Sequence, residues 1–102
     1  MDSDMLIHPG EILSEEFLKP YGLSARRVAT ALEIPTNRIT EIVNGSRGIT
    51  AETAILLGHA FRTTAEFWIN LQVRYDLDRA SMRVSPDAIR HAEKFARELC
   101  AA

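Results

Sequence analysis

Residues 23–48 read LSARRVATALEIPTNRITEIVNGSRG, and two short amphipathic segments within this stretch decide the fold of the chain. Ser24 is a favourable helix N-cap, and the apolar residues after it recur at the spacing of one helix face. These residues are Ala25, Val28, Ala29 and Leu32. A second helix is predicted to begin at Pro35 or Thr36 and to end at Gly45, because glycine accepts the left-handed conformation that follows many helices.

The connection between these two predicted helices is very short, since only Glu33 and Ile34 lie between Leu32 and Pro35. So tight a turn makes the two helices cross steeply, which is the arrangement of a helix-turn-helix. We expect Ala29 at the point of closest approach, because a larger side chain would hold the helices apart. The predicted helix-turn-helix core consists of Val28, Ala29, Leu32, Ile34, Ile39 and Ile42.

With the apolar residues turned inward, the second of these helices exposes a short polar face that suits the edges of DNA bases. Asn37 has the groups to pair with adenine, Arg38 with guanine or a phosphate, and Glu41 with cytosine. The predicted base-reading residues are Thr36, Asn37, Arg38, Thr40 and Glu41. The predicted contacts to the DNA backbone are Arg26, Arg27, Asn44, Ser46 and Arg47. The alternative is an ordinary solvated helix face.

Helix signals also flank this stretch on both sides, and strand signals are absent. A first helix is predicted from Pro9 to Leu18, a fourth opens at Thr50, and a fifth is capped by Thr63 with Glu66 at its N3 position. A last amphipathic helix opens with Ser85 as cap and Pro86 at N1; its apolar face carries Ala88, Ala92, Phe95, Ala96 and Leu99. We therefore predict an all-α single domain over residues 1–102, with a helix-turn-helix core at about 9–62 and residues 63–102 free for dimer or partner contact.

The net charge of −2 hides an uneven distribution along the chain. Residues 1–23 carry one lysine against five acids, residues 24–62 carry five arginines against three acids, and residues 63–102 carry six of each sign. The positive excess therefore lies in the predicted helix-turn-helix, where a local field can meet phosphates.

The same composition argues against several other classes of protein. No apolar run approaches the ~20 residues of a membrane span, and the acidic opening MDSDM does not resemble a secretory signal, so we expect a cytoplasmic protein. The single cysteine, Cys100, excludes an internal disulfide. His8, His59 and His91 lack metal-ligand spacing, and no phosphate-binding loop or nucleophile motif is present. We expect no metal, no cofactor and no enzymatic activity.

Three stretches resemble the HigA (VapI-like) antitoxins, a branch of the Xre/Cro-type helix-turn-helix proteins with the lambda-repressor-like fold of five helices, here followed by a C-terminal amphipathic helix. They read MLIHPGEILSEEFL, LSARRVATALEIPTNRITEIVNGSRGITAETA and TAEFWINLQVRYDL, and the resemblance covers roughly Met5 to Ala80. HPGE and FWINLQ are the discriminating motifs. Family members commonly carry glycine in the turn and a serine-like cap where this chain has Glu33 and Pro35.

The resemblance implies a homodimer that represses its own operon and neutralises a HigB toxin, a RelE-like mRNA-cleaving ribonuclease. By position it carries over Thr36, Asn37, Arg38, Thr40 and Glu41 as recognition residues, and it matches Asn44, Gly45 and Arg47 to the family's NG-x-R turn. A dimer of this kind predicts an inverted-repeat operator in double-stranded DNA. The alternatives are a stand-alone Xre-family regulator without a toxin and an interaction module that no longer binds DNA.

The fifth and last predicted helices are the candidates for contact with a partner. The tentative dimer or toxin contact residues are Phe67, Trp68, Leu71, Phe95 and Leu99. Core packing is the alternative for Phe67 and Trp68, and the last helix has a second possible role, the capture of a toxin through its apolar face.

Overall fold

The computed structural model describes residues 6–101 as six helices joined by short turns. The helix α1 starts as an α-helix at Pro9–Ile12 and continues as a π-helical segment at Leu13–Leu18, followed by α2 at Ala25–Leu32, α3 at Thr36–Val43, α4 at Ala51–Phe61, α5 at Ala65–Ser81 and α6 at Pro86–Ala101. The all-α prediction is confirmed. The acidic MDSDM opening, on which the expectation of a cytoplasmic protein partly rests, lies outside the described residues. Within them, no helix is long and apolar enough to span a membrane.

Most of the helix starts lie where the sequence predicts them. The side chains of Ser24, Thr50 and Ser85 each accept a hydrogen bond from the backbone N–H three residues later, at 3.0, 3.3 and 3.0 Å. Each cap satisfies one of the amide groups that a helix start leaves without a partner.

The cap of α5 differs from the prediction. Thr64, and not Thr63, accepts from the backbone N–H of Phe67 at 3.0 Å, so Glu66 occupies N2 instead of N3. The hydroxyl of Thr63 accepts instead from the indole Nε1 of Trp68 at 2.8 Å. A buried indole N–H needs such an acceptor, and this tertiary contact decides between two adjacent threonines that are equally suited to capping.

One apolar core runs through α1 to α5. Its buried members are Leu13, Leu18, Val28, Ala29, Ile39, Ile42, Ile49, Ala54, Leu57 and Trp68. Trp68 has no exposed surface, and Phe17 packs against it with 5.1 Å between ring centroids. The tentative placement of Trp68 in a partner contact is therefore wrong, because its side chain is enclosed by its own chain.

The end of α5 and all of α6 extend away from this core. Every described residue of α6 is exposed, and the radius of gyration of 17.9 Å exceeds the ~13 Å expected of a compact chain of this length. The molecule measures 57 Å along its longest axis and 20 Å along its shortest. The helices α1 to α4 and the first part of α5 therefore form the packed body, from which the end of α5 and α6 project.

Candidate nucleic-acid interface

The junction of α2 and α3 is closed by a left-handed residue and a small contact residue. Glu33 adopts φ 58° and ψ 44°, a conformation that favours glycine, and the amide of Ile34 donates to the carbonyl of Ala29 at 3.0 Å. Ala29 is fully buried at this crossing, whereas Leu32 and Ile34 are half-buried. The glutamate at the position of the family's turn glycine therefore keeps the glycine-like backbone.

The helix α3 begins without a side-chain cap. Pro35 precedes it with an extended backbone, and its side chain offers no hydrogen-bond acceptor, although its carbonyl accepts from the amide of Arg38 at 3.0 Å; Thr36 is the first helical residue. The core face of α3 is anchored by Ile39 and Ile42, both fully buried. This placement fixes which side of the helix faces outward.

The polar face of α3 is open to solvent over most of its length. Thr36, Asn37 and Thr40 are exposed, while Arg38 and Glu41 are half-buried. The hydroxyl of Thr40 donates to the carbonyl of Asn37 at 3.3 Å and so remains within the helix. Arg26 and Arg27 are exposed in the first turn of α2. The predicted base-reading and backbone-contacting residues are thus brought to one continuous helix-turn-helix unit, with different degrees of exposure.

The recognition loop, residues 44–49, ends α3 through a pair of nested hydrogen bonds. Gly45 adopts φ 86°, the amide of Ser46 donates to the carbonyl of Glu41 at 2.9 Å, and the amide of Gly45 donates to Ile42 at 3.1 Å. This is the Schellman arrangement, which satisfies helix carbonyls that otherwise lack donors. The side chain of Asn44 accepts from the Ser46 hydroxyl at 2.8 Å. The loop therefore leaves α3 with a defined backbone path.

Arg47 and Glu41 are paired with each other on this surface. Nε and Nη2 of Arg47 lie 2.8 and 2.7 Å from Oε1 of Glu41. The backbone N–H of Arg47 also donates to the carbonyl of Glu41, at 3.1 Å. A residue predicted to contact phosphate and a residue predicted to read a base thus neutralise each other in the free chain.

The start of α1 packs directly against the end of α3. A Cβ atom added to Gly10 would lie 1.7 Å from the carbonyl oxygen of Ile42, so only a glycine allows this approach. The amide of Gly10 donates to Nδ1 of His8 at 2.9 Å, which makes His8 the side-chain cap of α1. The HPGE motif thereby places helix α1 on the backbone of α3.

His8 also reaches the recognition loop and α5. Its imidazole forms a hydrogen bond with the backbone of Arg47, and its ring packs edge-on against Tyr75 with 4.8 Å between centroids. Burial lowers the pKa of His8, and Arg79 lowers it further, while Asp76 and the hydrogen bond that the imidazole donates to the backbone of Arg47 oppose the shift. Because Nδ1 accepts from Gly10, the neutral form with a proton on Nε2 fits the hydrogen bonds of this site.

A second support for the recognition loop comes from α5. The side-chain oxygen of Gln72 accepts from the backbone N–H of Ile49 at 2.7 Å, and its amide nitrogen donates to Asp76 at 3.0 Å. A Cβ atom at Gly48 would come within 3.0 Å of Gln72. Sequence reasoning missed His8, Gly10 and Gln72 as supports of this surface. The only signal for them was their presence in the HPGE and FWINLQ motifs.

Known proteins match this chain in both sequence and structure. The profile of the helix-turn-helix family matches residues 15–68. Virulence-associated protein I of Dichelobacter nodosus is 55% identical over 74 residues, which cover 72% of this chain and 68% of that protein. The antitoxin HigA of Pseudomonas aeruginosa, solved with the higBA promoter, superposes with a TM-score of 0.75 at 40% identity, covering 79% of this chain and 97% of the other. The chain belongs to the HigA (VapI-like) family of helix-turn-helix proteins.

A further HigA-like structural neighbour is also a DNA complex. PA4674 of Pseudomonas aeruginosa, solved with an 18-bp operator DNA, superposes with a TM-score of 0.79 at 43% identity, covering 84% of this chain and 91% of that one. The structural neighbours of this chain therefore include both an antitoxin and an operator-binding protein of the same fold.

Proposed function

We propose that this chain is the DNA-binding antitoxin of a HigBA-type module, which represses its own operon as a dimer and neutralises a RelE-like mRNA-cleaving toxin. The observation that carries the DNA-binding part is the exposed polar face of α3, held outward by the fully buried Ile39 and Ile42. A helix in this position inserts into the major groove in helix-turn-helix proteins. Two structural neighbours, PA4674 and HigA of Pseudomonas aeruginosa, were solved with operator or promoter DNA, which supports DNA binding by this fold. A cytoplasmic location and a non-catalytic role accompany this proposal.

The residues that we propose to contact DNA divide into two groups. Thr36, Asn37, Arg38, Thr40 and Glu41 lie on or beside the exposed face of α3, and Arg26, Arg27, Asn44, Ser46 and Arg47 flank it. Base-edge contacts specify the sequence, whereas phosphate contacts set affinity and register without reading sequence. Glu41 differs from the other residues of the first group, because its carboxylate is already paired with Arg47.

A salt titration of binding to the chain's own promoter tests this division. Affinity falls steeply with salt if the arginines release counterions from phosphates. We expect Asn37→Ala to cost about 1 to 3 kcal/mol on the promoter and little on random DNA, and Arg47→Ala to weaken both DNAs alike. Equal losses on promoter and random DNA for Asn37→Ala would contradict the reading role of that residue.

The dimer part of the proposal rests on the uncovered apolar surface of α5 and α6. Leu77 on α5 and Phe95 and Leu99 on α6 are each about 60% exposed. An amphipathic helix with an uncovered apolar face needs a partner to bury it, and a second copy of the chain provides the same face by symmetry. Phe67, at 38% exposed, and the half-buried Leu71 lie nearer the core and contribute less accessible surface.

Sedimentation of the variant Phe95→Ser/Leu99→Ser tests this contact. We expect a monomer with unchanged thermal unfolding of the helix-turn-helix, because both side chains lie outside the core. Operator affinity should drop strongly, since two half-sites are no longer bound together. A variant that stays dimeric but loses a co-expressed toxin would instead assign α6 to toxin capture.

Toxin neutralisation is tested by the gene that lies beside this one. We expect a reading frame of toxin size there, whose product arrests growth alone, co-purifies with this chain and loses its mRNA cleavage when the chain is present. The absence of such a frame, combined with intact promoter binding, would favour a stand-alone Xre-family regulator.

A further inference from the structure

Arg47, proposed above as a phosphate contact, already has an anionic partner within its own chain. Both Nε and Nη2 of its guanidinium lie within 2.8 Å of the same carboxylate oxygen of Glu41. The Schellman turn at Gly45 brings together these two residues, which are six apart in sequence. The hydrogen bond from the backbone N–H of Arg47 to the Glu41 carbonyl holds the two residues next to each other. Their pairing is therefore built into the end of α3.

The ion pair lies at the surface on which DNA would bind. The side chain of Arg47 is 43% exposed and that of Glu41 is 37% exposed. A phosphate offers a guanidinium the same paired oxygen acceptors as a carboxylate does, so the two compete for Arg47. Ion pairs of this exposure are weak enough to exchange. Once Arg47 turns to a phosphate, Glu41 is left as an uncompensated negative charge beside a polyanion.

We propose that Glu41 is a positioning residue that restrains Arg47 and weakens binding to every DNA sequence alike, and that it does not read a base. The inference rests on the proposed DNA binding and deepens it. The energy needed to separate Arg47 from Glu41 enters the binding of operator and of random DNA equally, because phosphates are the same in both. Glu41 thereby sets the strength of binding without setting its specificity.

The two possible roles of Glu41 predict opposite changes in DNA affinity for the same substitution. If Glu41 restrains Arg47, Glu41→Gln raises affinity for promoter and random DNA by the same factor, about two- to fivefold, which is the range of an exposed ion pair. If Glu41 accepts from a cytosine, Glu41→Gln lowers promoter affinity at least about fivefold and leaves random DNA unchanged. Glu41→Ala, which removes the side-chain acceptor altogether, should raise affinity at least as much as the glutamine variant.

The experiment measures binding of the full chain to a fluorescent duplex of its own promoter and to a random duplex of equal length, from 50 to 300 mM salt. Glu16→Gln is the matched control, because Glu16 is an exposed carboxylate on α1 and its replacement changes the net charge equally. Arg47→Ala is combined with Glu41→Gln to complete a double-mutant cycle. The expected result is a gain for Glu41→Gln beyond that of Glu16→Gln, which becomes smaller in the Arg47→Ala background because only the repulsion between Glu41 and DNA is then relieved.

Three results would overturn the restraint while leaving DNA binding intact. These are a loss confined to the promoter duplex, a gain no larger than that of Glu16→Gln, and a gain that is undiminished in the Arg47→Ala background. A wild-type chain that binds neither duplex at 50 mM salt would overturn the proposed function itself, and the restraint with it. The wild-type titration therefore separates the failure of the one from the failure of the other.

Discussion

Replacing Gly10 with alanine would put a methyl group into the contact between α1 and α3. The added carbon would lie 1.7 Å from the carbonyl oxygen of Ile42 and 2.6 Å from its carbonyl carbon. Real Cβ atoms essentially never approach closer than 3.0 Å, so the two backbones must separate by at least 1.3 Å, the difference between these two distances. Neither side is a flexible side chain that can turn aside. The start of α1 must therefore lift off the end of α3.

The cost of this displacement follows from two opposing effects. Overpacking of a close contact costs about 1 to 3 kcal/mol or more, and a clash between two backbones belongs at the upper end. Alanine regains about 0.5 to 1 kcal/mol through its better helix propensity. A net loss of about 2 kcal/mol lowers the melting temperature of a chain of this size by roughly 8–16 °C.

Urea and thermal unfolding followed by circular dichroism measure this loss. Gly22→Ala is the matched control, because Gly22 has φ 63° but nothing within 4 Å of an added Cβ, so only backbone strain of about 1 kcal/mol is expected. Promoter affinity of Gly10→Ala, measured well below its melting temperature, should fall as well, since the end of α3 and the recognition loop move. An alanine variant at least as stable as the wild type, which is the result expected for an exposed helical glycine, would refute the reasoning.

Three further predictions concern single residues of the same surface. Glu33→Gly should raise the free energy of unfolding by up to about 1 kcal/mol, because φ 58° strains a residue with a Cβ. Arg62→Gly, at the same φ, should have a similar effect, and a loss of stability in both variants would contradict the strain. Burial lowers the pKa of His8 below its value in the unfolded chain. The contribution of His8 to stability is therefore present above pH 6.5 and is lost as the pH falls through the folded-state pKa. Urea unfolding from pH 7.5 to 5.5 should show this decrease in the free energy of unfolding, and His8→Asn should flatten it. Gln72→Met should cost about 1 to 3 kcal/mol, since the amide of Ile49 loses its acceptor, and a neutral effect would show that water replaces it.

The helices could be predicted from the sequence because their signals are local. Ser24, Thr50 and Ser85 are caps followed by an apolar periodicity, and the structure places all three where the pattern puts them. The cap of α5 could not be chosen, because Thr63 and Thr64 are adjacent and of the same type. The indole of Trp68 selects Thr63 as its acceptor through a contact that no helix periodicity encodes.

The candidate site could be predicted only in part, because the sequence pattern reports the local helix and not the contacts that the following turn makes. The exposure of Asn37 and Thr40 follows from the inward placement of Ile39 and Ile42 along a single helix. The pairing of Arg47 with Glu41 does not follow from helix spacing, because it depends on the left-handed turn at Gly45. Periodicity identifies which side of α3 faces outward, but only the folded turn shows that two of its charged neighbours are already engaged.

The contacts that hold the recognition loop connect two motifs outside the helix-turn-helix, HPGE and FWINLQ, to the proposed DNA-binding surface. His8 binds the loop backbone at Arg47 and packs on Tyr75, and Gln72 binds the loop backbone at Ile49. One helix, α5, therefore contacts the loop directly through Gln72 and indirectly through Tyr75 and His8, and it carries at its far end the apolar surface proposed for a partner. A partner that bends or shifts α5 would move Gln72 and Tyr75, and with them the backbone that presents Arg47. If this coupling is physical, Gln72→Met should reduce the effect of a bound toxin on promoter affinity, and not only the affinity itself.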